Sequence, residues 1–578
     1  MVTDSTKRIN LLLVIVLIAS GGIVYRLFSL TVLQHSNYVK YAQKQYENSL
    51  SQLENRGNIY FLGGEKNGYL AATNQSFTYV YSDNTQVGDP SGTAKTLADI
   101  LGEESGRIAD LLSHKNKEYV VLAEKISDEQ AKKIKEEKFE GVSIGSATER
   151  FYPQGETASY VLGFVGFEGY RRVGQYGVES TYNRVLSGLE DSNEWFGNTA
   201  YSKVAGFFKS AVGGDNKEKL NETEKEEQSN NSDIVLTIDK DIQDFVESKL
   251  NSLLEKWQSP SGLAIVQNPN TGAILALVAS PGYDPNEYDK FNLSEFVNPV
   301  TQKLFEPGSS FKPITMAGAL DKGVVEPNTT YNDTGTVTES GFTIKNFDER
   351  SHGVQTMRQV LEKSLNTGTI FAQGKLGNDD FLNYAVAFGF GQKTGIDMPG
   401  EIIGNISNLY TGRKINFMTA SFGQGIAVTP IQLINAYSAM ANGGKLMKPY
   451  IVEEIINSDG TRIVTEPEIL GQPIKEKTSL AIKSMLTGAV DNGFDKARVS
   501  GYDVAGKTGT AQISEDGEYG EDFIHSFVGF APSYNPMFVV LLKIDRPKGE
   551  EFASNTLSPA FADIMKFLFN YYGVPPTR

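Results

Sequence analysis

The feature that most restricts this chain lies at its start. Leu11 to Tyr25 is an apolar run preceded by Lys7 and Arg8. At ~1.5 Å per residue it reaches about 22 Å, short of the ~30 Å hydrocarbon core of a bilayer. Extension through Leu27-Phe28-Ser29-Leu30-Thr31-Val32-Leu33 closes the gap, and Arg26 then snorkels to the far interface. Lys7 and Arg8 favour a cytoplasmic N-terminus. Ala19-Ser20-Gly21 also offers small residues for signal-peptide cleavage, but apolar character resumes after Arg26, which favours an uncleaved anchor. Either reading exports the rest of the chain. The expectation is a single-pass cell-membrane protein, with residues 1–33 as cytoplasmic tail and transmembrane helix and the remainder extracytoplasmic.

Exported chains often lean on disulfides, yet cysteine is absent here. Packed cores must supply the stability, and 578 residues with 40% hydrophobic content are enough to build them. The same absence removes thiolate zinc sites and a cysteine nucleophile. The four histidines, His35, His114, His352 and His525, are far apart in sequence and show no H-E-x-x-H spacing, so no metal is expected. Transferase or hydrolase chemistry then needs a base other than histidine. A net charge of −16 argues against nucleic-acid binding, which runs on basic patches.

Composition shifts divide the exported part into a region over 34–213, an acidic polar linker over 214–232 and a region over 233–578. The first has strand-rich and charge-mixed helical stretches, such as a helix over Ser127 to Glu140. Trp195 to Val212 carries aromatic residues that suit an amphipathic helix or ordinary packing. The second opens with a strand, Ile234 to Asp239, and a helix to Trp257. A hairpin follows, Leu263 to Val266 and Ala273 to Val278, around Asn268-Pro269-Asn270-Thr271-Gly272. Ser526 to Ala531 and Met537 to Ile544 form a second strand pair, and Ala560 to Tyr572 a last helix. Strands at both ends with helices between predict an α+β fold, an antiparallel sheet covered by helices.

Three short motifs carry chemistry. In Glu306-Pro307-Gly308-Ser309-Ser310-Phe311-Lys312, Pro313 fits a helix that begins near Ser309 or Ser310. Lys312 is then ~60° round the axis and ~4.5 Å along it from Ser309, within reach of its oxygen. Ser364-Leu365-Asn366 comes 55 residues after Ser309. Gly506-Lys507-Thr508-Gly509-Thr510 follows, and its glycines would let a ligand backbone approach a strand edge. Each motif alone is common. A serine hydroxyl needs a base, no histidine is near in sequence, and Lys312 is the candidate. An ordinary lysine holds its proton to about pH 10.4, and burial beside a second cation, Lys507, would lower that.

The order SxxK, SxN, KTG is the active-site set of penicillin-binding proteins and serine β-lactamases. With Ser421-Phe422-Gly423-Gln424-Gly425-Ile426, Thr429-Pro430 and His525-Ser526-Phe527-Val528-Gly529, the chain resembles the class B penicillin-binding proteins. Arg56-Gly57, Arg150-Phe151-Tyr152-Pro153-Gln154-Gly155 and Gly177-Val178-Glu179 resemble that family's elongated, non-catalytic, dimerisation-like pedestal.

The resemblance implies a penicillin-binding transpeptidase domain over 233–578 and a peptidoglycan D,D-transpeptidase acting through a Ser309 acyl-enzyme. Ser364 relays a proton between the lysines and the leaving group, and Asn366 holds the donor amide. Lys507 and Thr508 orient the terminal carboxylate, and the N–H groups of Ser309 and Thr510 form an oxyanion hole. Stem peptides and β-lactams are the implied ligands, with no cofactor. A membrane-embedded glycosyltransferase polymerase and division proteins are the implied partners. Ser364-Leu365-Asn366-Thr367-Gly368, which resembles the division-type Ser-Ser-Asn but for leucine in the middle position, and Asn346-Phe347-Asp348 with His352-Gly353 lean towards the septal division type. An elongation-type enzyme, a D,D-carboxypeptidase or β-lactamase-type hydrolase, and an anchored scaffold with little catalysis are the alternatives.

Overall fold

The computed structural model describes residues 55–63, 68–188 except 116, 118 and 170, and 231–578 except 516 and 517, with Leu53 and scattered positions from 13 to 29. Among these no helix is long and apolar enough to cross a membrane. Most of the expected anchor, the segment Trp195 to Val212 and the expected linker up to residue 230 lie outside the described residues.

Two compact units emerge, and they cut across chain order instead of dividing at residue 233. Strand β1 (Ile59–Leu62) and the first residues of β2 (Tyr69–Ser82) belong to the larger unit, which also takes in 150–165 and 174–578. The smaller unit comprises 74–149 and 166–173. In it β2 pairs with β3 (Val120–Ile126) and β4 (Val142–Phe151). Helices α1 (Pro90–Leu101), α2 (Ser105–Ser113) and α3 (Asp128–Glu137) supply Leu97, Ile108, Leu112 and Ile134 to a core with Val80, Val120 and Leu122. α3 is the helix predicted from Ser127 onwards. Ser127 and Gln130 close a capping box at its start.

In the larger unit, β5 (Asp233–Asp239) runs parallel to β1. The main sheet contains β6 (Ser261–Gln267) and β7 (Ile274–Ser280), the predicted hairpin. On the other side of β5, β8 (Val452–Ile456) pairs antiparallel and carries β9 (Arg462–Val464). The main sheet is completed by β10 (Ala505–Glu515), β11 (Glu518–Ala531) and β12 (Phe538–Asp545) in the order β10–β11–β12–β6–β7, antiparallel throughout. Helices α4 (Lys240–Trp257) and α9 (Ser558–Tyr571) pack on one face, where Phe527 of β11 meets Phe561 at 4.5 Å between ring centroids.

Ser526, its neighbour, points to the opposite face by strand alternation. There lie α5 (Lys312–Lys322), α6 (Asn366–Leu376), the fully buried α7 (Pro430–Ala441) and α8 (Glu476–Asn492). Burial on both faces explains why β12 reads as a continuous apolar run and not as an alternating one. The expected antiparallel sheet covered by helices is the observed α+β core. β10 stands at its edge, with α5 and α6 packed against each other nearby.

Candidate active site

A Pro-Gly turn needs one residue with positive φ, and Gly308 supplies it at +54°. Gly308–Phe311 is a single 3₁₀ turn, and α5 starts behind it at Lys312 with Pro313 in its first turn. The helix therefore begins slightly later than predicted, and Ser309 sits in the turn that leads into it. Strand β10 lies directly against this turn. A Cβ on Gly308 would meet the Thr510 carbonyl oxygen at 3.3 Å and Ala511 Cβ at 3.2 Å. A Cβ on Gly509 would meet Ser526 Oγ at 2.3 Å and the Pro307 carbonyl oxygen at 2.8 Å. The space on the Cβ side of Gly509 is thus used for packing on the nucleophile turn. The space beside Gly506 is likewise taken, by the Phe527 ring. Gly423, at φ +82°, holds the other side of the turn, where its carbonyl accepts from Gly308 N–H at 3.0 Å.

Ser364 joins these elements. It lies between the helix Met357–Glu362 and α6, and its φ of +55° is strained for a residue with a side chain. Leu365 is fully buried, which accounts for an apolar residue in the middle of this motif. Lys312 Nζ donates to the Ser364 carbonyl oxygen and, at 3.2 Å, to Ser364 Oγ. Lys507 Nζ reaches the same Oγ at 3.0 Å and the Thr508 carbonyl and hydroxyl at 3.2 and 3.4 Å. Three remote motifs therefore meet at one hydroxyl. The direct Lys312–Ser309 hydrogen bond allowed by the spacing is not made; among the described residues Lys312 bonds Ser364 instead.

Both lysines are fully buried, and among the described residues no carboxylate bonds either one. Burial, reinforced by the charge of Lys507, holds Lys312 well below its ordinary value. Burial lowers Lys507 to about 7. The Phe494 ring, 4.5 Å from Lys507 Nζ, is an aromatic face for its charged form. Ser309, Ser364, Asn366, Thr508 and Thr510 all line one cavity of about 960 Å³. The Asn366 side chain donates to the Lys345 carbonyl at 2.8 Å, which ties it to the hairpin beside the cavity. Among the described residues no group of three His, Asp or Glu side chains is placed to hold a metal.

Residues 262–566 match the penicillin binding protein transpeptidase domain, and residues 52–203 match the penicillin-binding protein dimerisation domain. The chain belongs to the penicillin-binding protein transpeptidase family. Among its relatives is stage V sporulation protein D of Bacillus subtilis, 34% identical over 523 residues, covering 89% of this chain and 78% of that protein. The peptidoglycan D,D-transpeptidase FtsI of Buchnera aphidicola is 30% identical over 489 residues, or 83% and 80% of the two chains. Penicillin binding protein 2X of Streptococcus thermophilus shares the fold at a TM-score of 0.70 and 22% identity, covering 89% of this chain and 79% of that one. A peptidoglycan synthetase of Bifidobacterium adolescentis does so at 0.66 and 26%, covering 90% and 96%.

This penicillin-binding protein is a serine-type transpeptidase, as its motifs imply. Sequence reasoning left other cavity residues unassigned, among them Phe347, Asp348, His352 and Phe552. It also missed Phe494, which lies against Lys507. Phe347, Asp348 and His352 share one short loop, which the sequence reading used only for sub-type, whereas Phe494 and Phe552 arrive from segments remote in the chain that no local spacing signals. The pedestal-type motifs acquire a physical role. Arg56 Nε and Arg150 Nε donate to the two oxygens of the buried Glu179 carboxylate at 2.8 and 2.7 Å.

Proposed function

We propose that this enzyme cross-links peptidoglycan stem peptides through a Ser309 acyl-enzyme. The observation that carries this reading is the convergence of two buried, uncompensated lysines on Ser364 beside the cavity that Ser309 lines. Lys312, held neutral, takes the Ser309 proton as Oγ attacks the penultimate D-alanine carbonyl. Ser364 passes that proton towards the departing D-alanine amine. Asn366 holds the donor amide, Lys507 and Thr508 orient its carboxylate, and the N–H groups of Ser309 and Thr510 receive the oxyanion. Removing one such donor costs about 3–4 kcal/mol. An amine of a second stem then resolves the ester. β-Lactams mimic the donor and trap Ser309. Fluorescent penicillin should label wild type and not Ser309→Ala; an unlabelled wild type would end the reading.

The N-terminal run anchors the enzyme in the cell membrane, with the catalytic unit outside and the N-terminus in the cytoplasm. There it serves septal wall synthesis beside division proteins and a membrane-embedded glycosyltransferase that supplies glycan. The Ser364-Leu365-Asn366 and Asn346-Phe347-Asp348 motifs and the FtsI relative support the septal role. The relative named for stage V of sporulation supports a second reading, wall synthesis during spore formation. Imaging a fluorescent fusion separates them. Midcell label in growing cells supports the first, label confined to sporulating cells supports the second, and label along the side wall contradicts both.

A further inference from the structure

Resolving the acyl-enzyme with an ammonium acceptor takes two protons off its nitrogen, and the lysine pair accounts for the one that returns to Ser309. An alkyl amine ordinarily keeps its proton to about pH 10.4, so the acceptor arrives as an ammonium ion. One proton must leave before the nitrogen can attack. The second leaves as the C–N bond forms and the C–Oγ bond breaks, and it returns to Ser309 Oγ through Lys312. Lys312 enters this half-reaction neutral and ends it neutral, so it does not also absorb the first proton.

The cavity that Ser309 lines also contains a histidine. His352 Nε2 lies 3.0 Å from Asp348 Oδ2, and both side chains line the cavity. A carboxylate on Nε2–H leaves Nδ1 as the acceptor nitrogen, and Nδ1 has no hydrogen-bond partner among the described residues. The histidine side chain is 21% exposed, open enough to exchange a proton with water. Its backbone N–H is fixed at 3.0 Å to Asp333 Oδ2. Asp333 also accepts from Asn346 Nδ2 and, at 2.7 Å, from Thr367 Oγ1, the residue after Asn366. The imidazole is therefore built on the same buried support as the second catalytic motif.

The other charged groups around this loop are accounted for. Glu349 pairs with Lys345 at 3.0 Å, and Lys363 donates to Gln355, whose amide donates to the His352 carbonyl. Glu362 accepts from Asn492, and Arg350 is exposed. With Glu551, the carboxylates of Asp348, Glu349 and Glu362 line the cavity and suit a cationic acceptor.

We propose that His352, oriented by Asp348, is the general base that takes the first proton from the acceptor amine. R–NH₃⁺ gives a proton to Nδ1, and R–NH₂ attacks the ester carbonyl. The C–N bond forms as C–Oγ breaks, the second proton reaches Ser309 Oγ through Lys312, and His352 releases its own to solvent. This rests on the transpeptidase reading above.

The test uses full-length protein, wild type and the His352→Asn and Asp348→Asn variants. Penicillin acylation is followed together with aminolysis of the acyl-enzyme formed from a D-alanyl thioester donor. D-Alanine serves as the protonated amine acceptor, and hydroxylamine as one already unprotonated near neutrality. Penicillin acylation should stay within about twofold of wild type in both variants. Aminolysis by D-alanine should fall on the order of 100-fold in His352→Asn, and less in Asp348→Asn. Hydroxylamine should react at the wild-type rate. Equal loss with both acceptors, loss of acylation as well, or an unchanged D-alanine rate would each overturn the proposal. A wild type that penicillin does not acylate would overturn the transpeptidase reading itself.

Discussion

Two buried cation clusters in the larger unit solve the same electrostatic problem in opposite ways. Arg56 and Arg150 flank Glu179, whose carboxylate also accepts from Tyr152 Oη at 3.3 Å. Burial pushes the Glu179 carboxyl up, but the two guanidinium groups more than reverse it and hold it below its usual range. Lys312 and Lys507 flank a hydroxyl instead, and burial lowers both, Lys507 to about 7. Bringing an amine from 10.5 to about 7 corresponds to roughly 5 kcal/mol. Where a counter-ion is provided, buried charge fixes chain segments in place. Where it is withheld, the same burial yields a base.

The contrast breaks most visibly at Lys312. Replacing it with methionine removes the base and also the cost of burying an amine. Acylation by fluorescent penicillin should fall about 10³-fold or more while the thermal midpoint holds or rises. A large drop in the midpoint would make Lys312 a structural residue like Arg56. Glu179→Gln is the reciprocal experiment. It leaves two buried arginines uncompensated and should cost about 3–5 kcal/mol in denaturant unfolding, with the acylation rate of the folded protein little changed. Glu179 is lowered in the folded state, so its contribution is present above its ordinary value of about 4.3 and is lost as pH falls below it. That acid-side loss should be smaller in the variant.

Gly509→Ala forces β10 away from the nucleophile turn that it packs against. A cost of about 1–3 kcal/mol in stability is expected, with slower acylation. An unaltered acylation rate would show that the turn tolerates displacement. The smallest effect is expected from Phe494→Leu. Losing the ring face beside Lys507 disfavours its charged form by about 1 kcal/mol. The alkaline side of the acylation profile should move to lower pH by under about one unit. No movement would mean that burial alone sets this lysine.

Much of the catalytic site was legible because SxxK, SxN and KTG are local patterns in a fixed order. The main sheet was legible because β6, β7, β12 and the Ser526–Ala531 end of β11 are short, mostly apolar segments beside turn residues. What stayed hidden is carried by distant pairings. Arg56, Arg150 and Glu179 stood as separate fragments, and nothing local says that they meet. The pairing of β5 with β1 is equally remote and crosses the boundary that composition suggested. The spacing of Ser309 and Lys312 pointed to each other, yet Ser364 is where both lysines converge, because its left-handed backbone turns its carbonyl and hydroxyl to them. The packing of Gly509 on Pro307 and Ser526 was likewise hidden, because those partners are remote in the chain or the sheet.

The pH dependence of Ser309 acylation by a β-lactam, measured as a second-order rate on full-length protein, tests the uncompensated lysine pair most directly. A base lowered by burial predicts a rate already high at neutrality, with its acid limb well below pH 10 and absent from Lys312→Met. A rate that climbs through an ordinary lysine midpoint near 10.4, or a profile that survives in Lys312→Met, would contradict it.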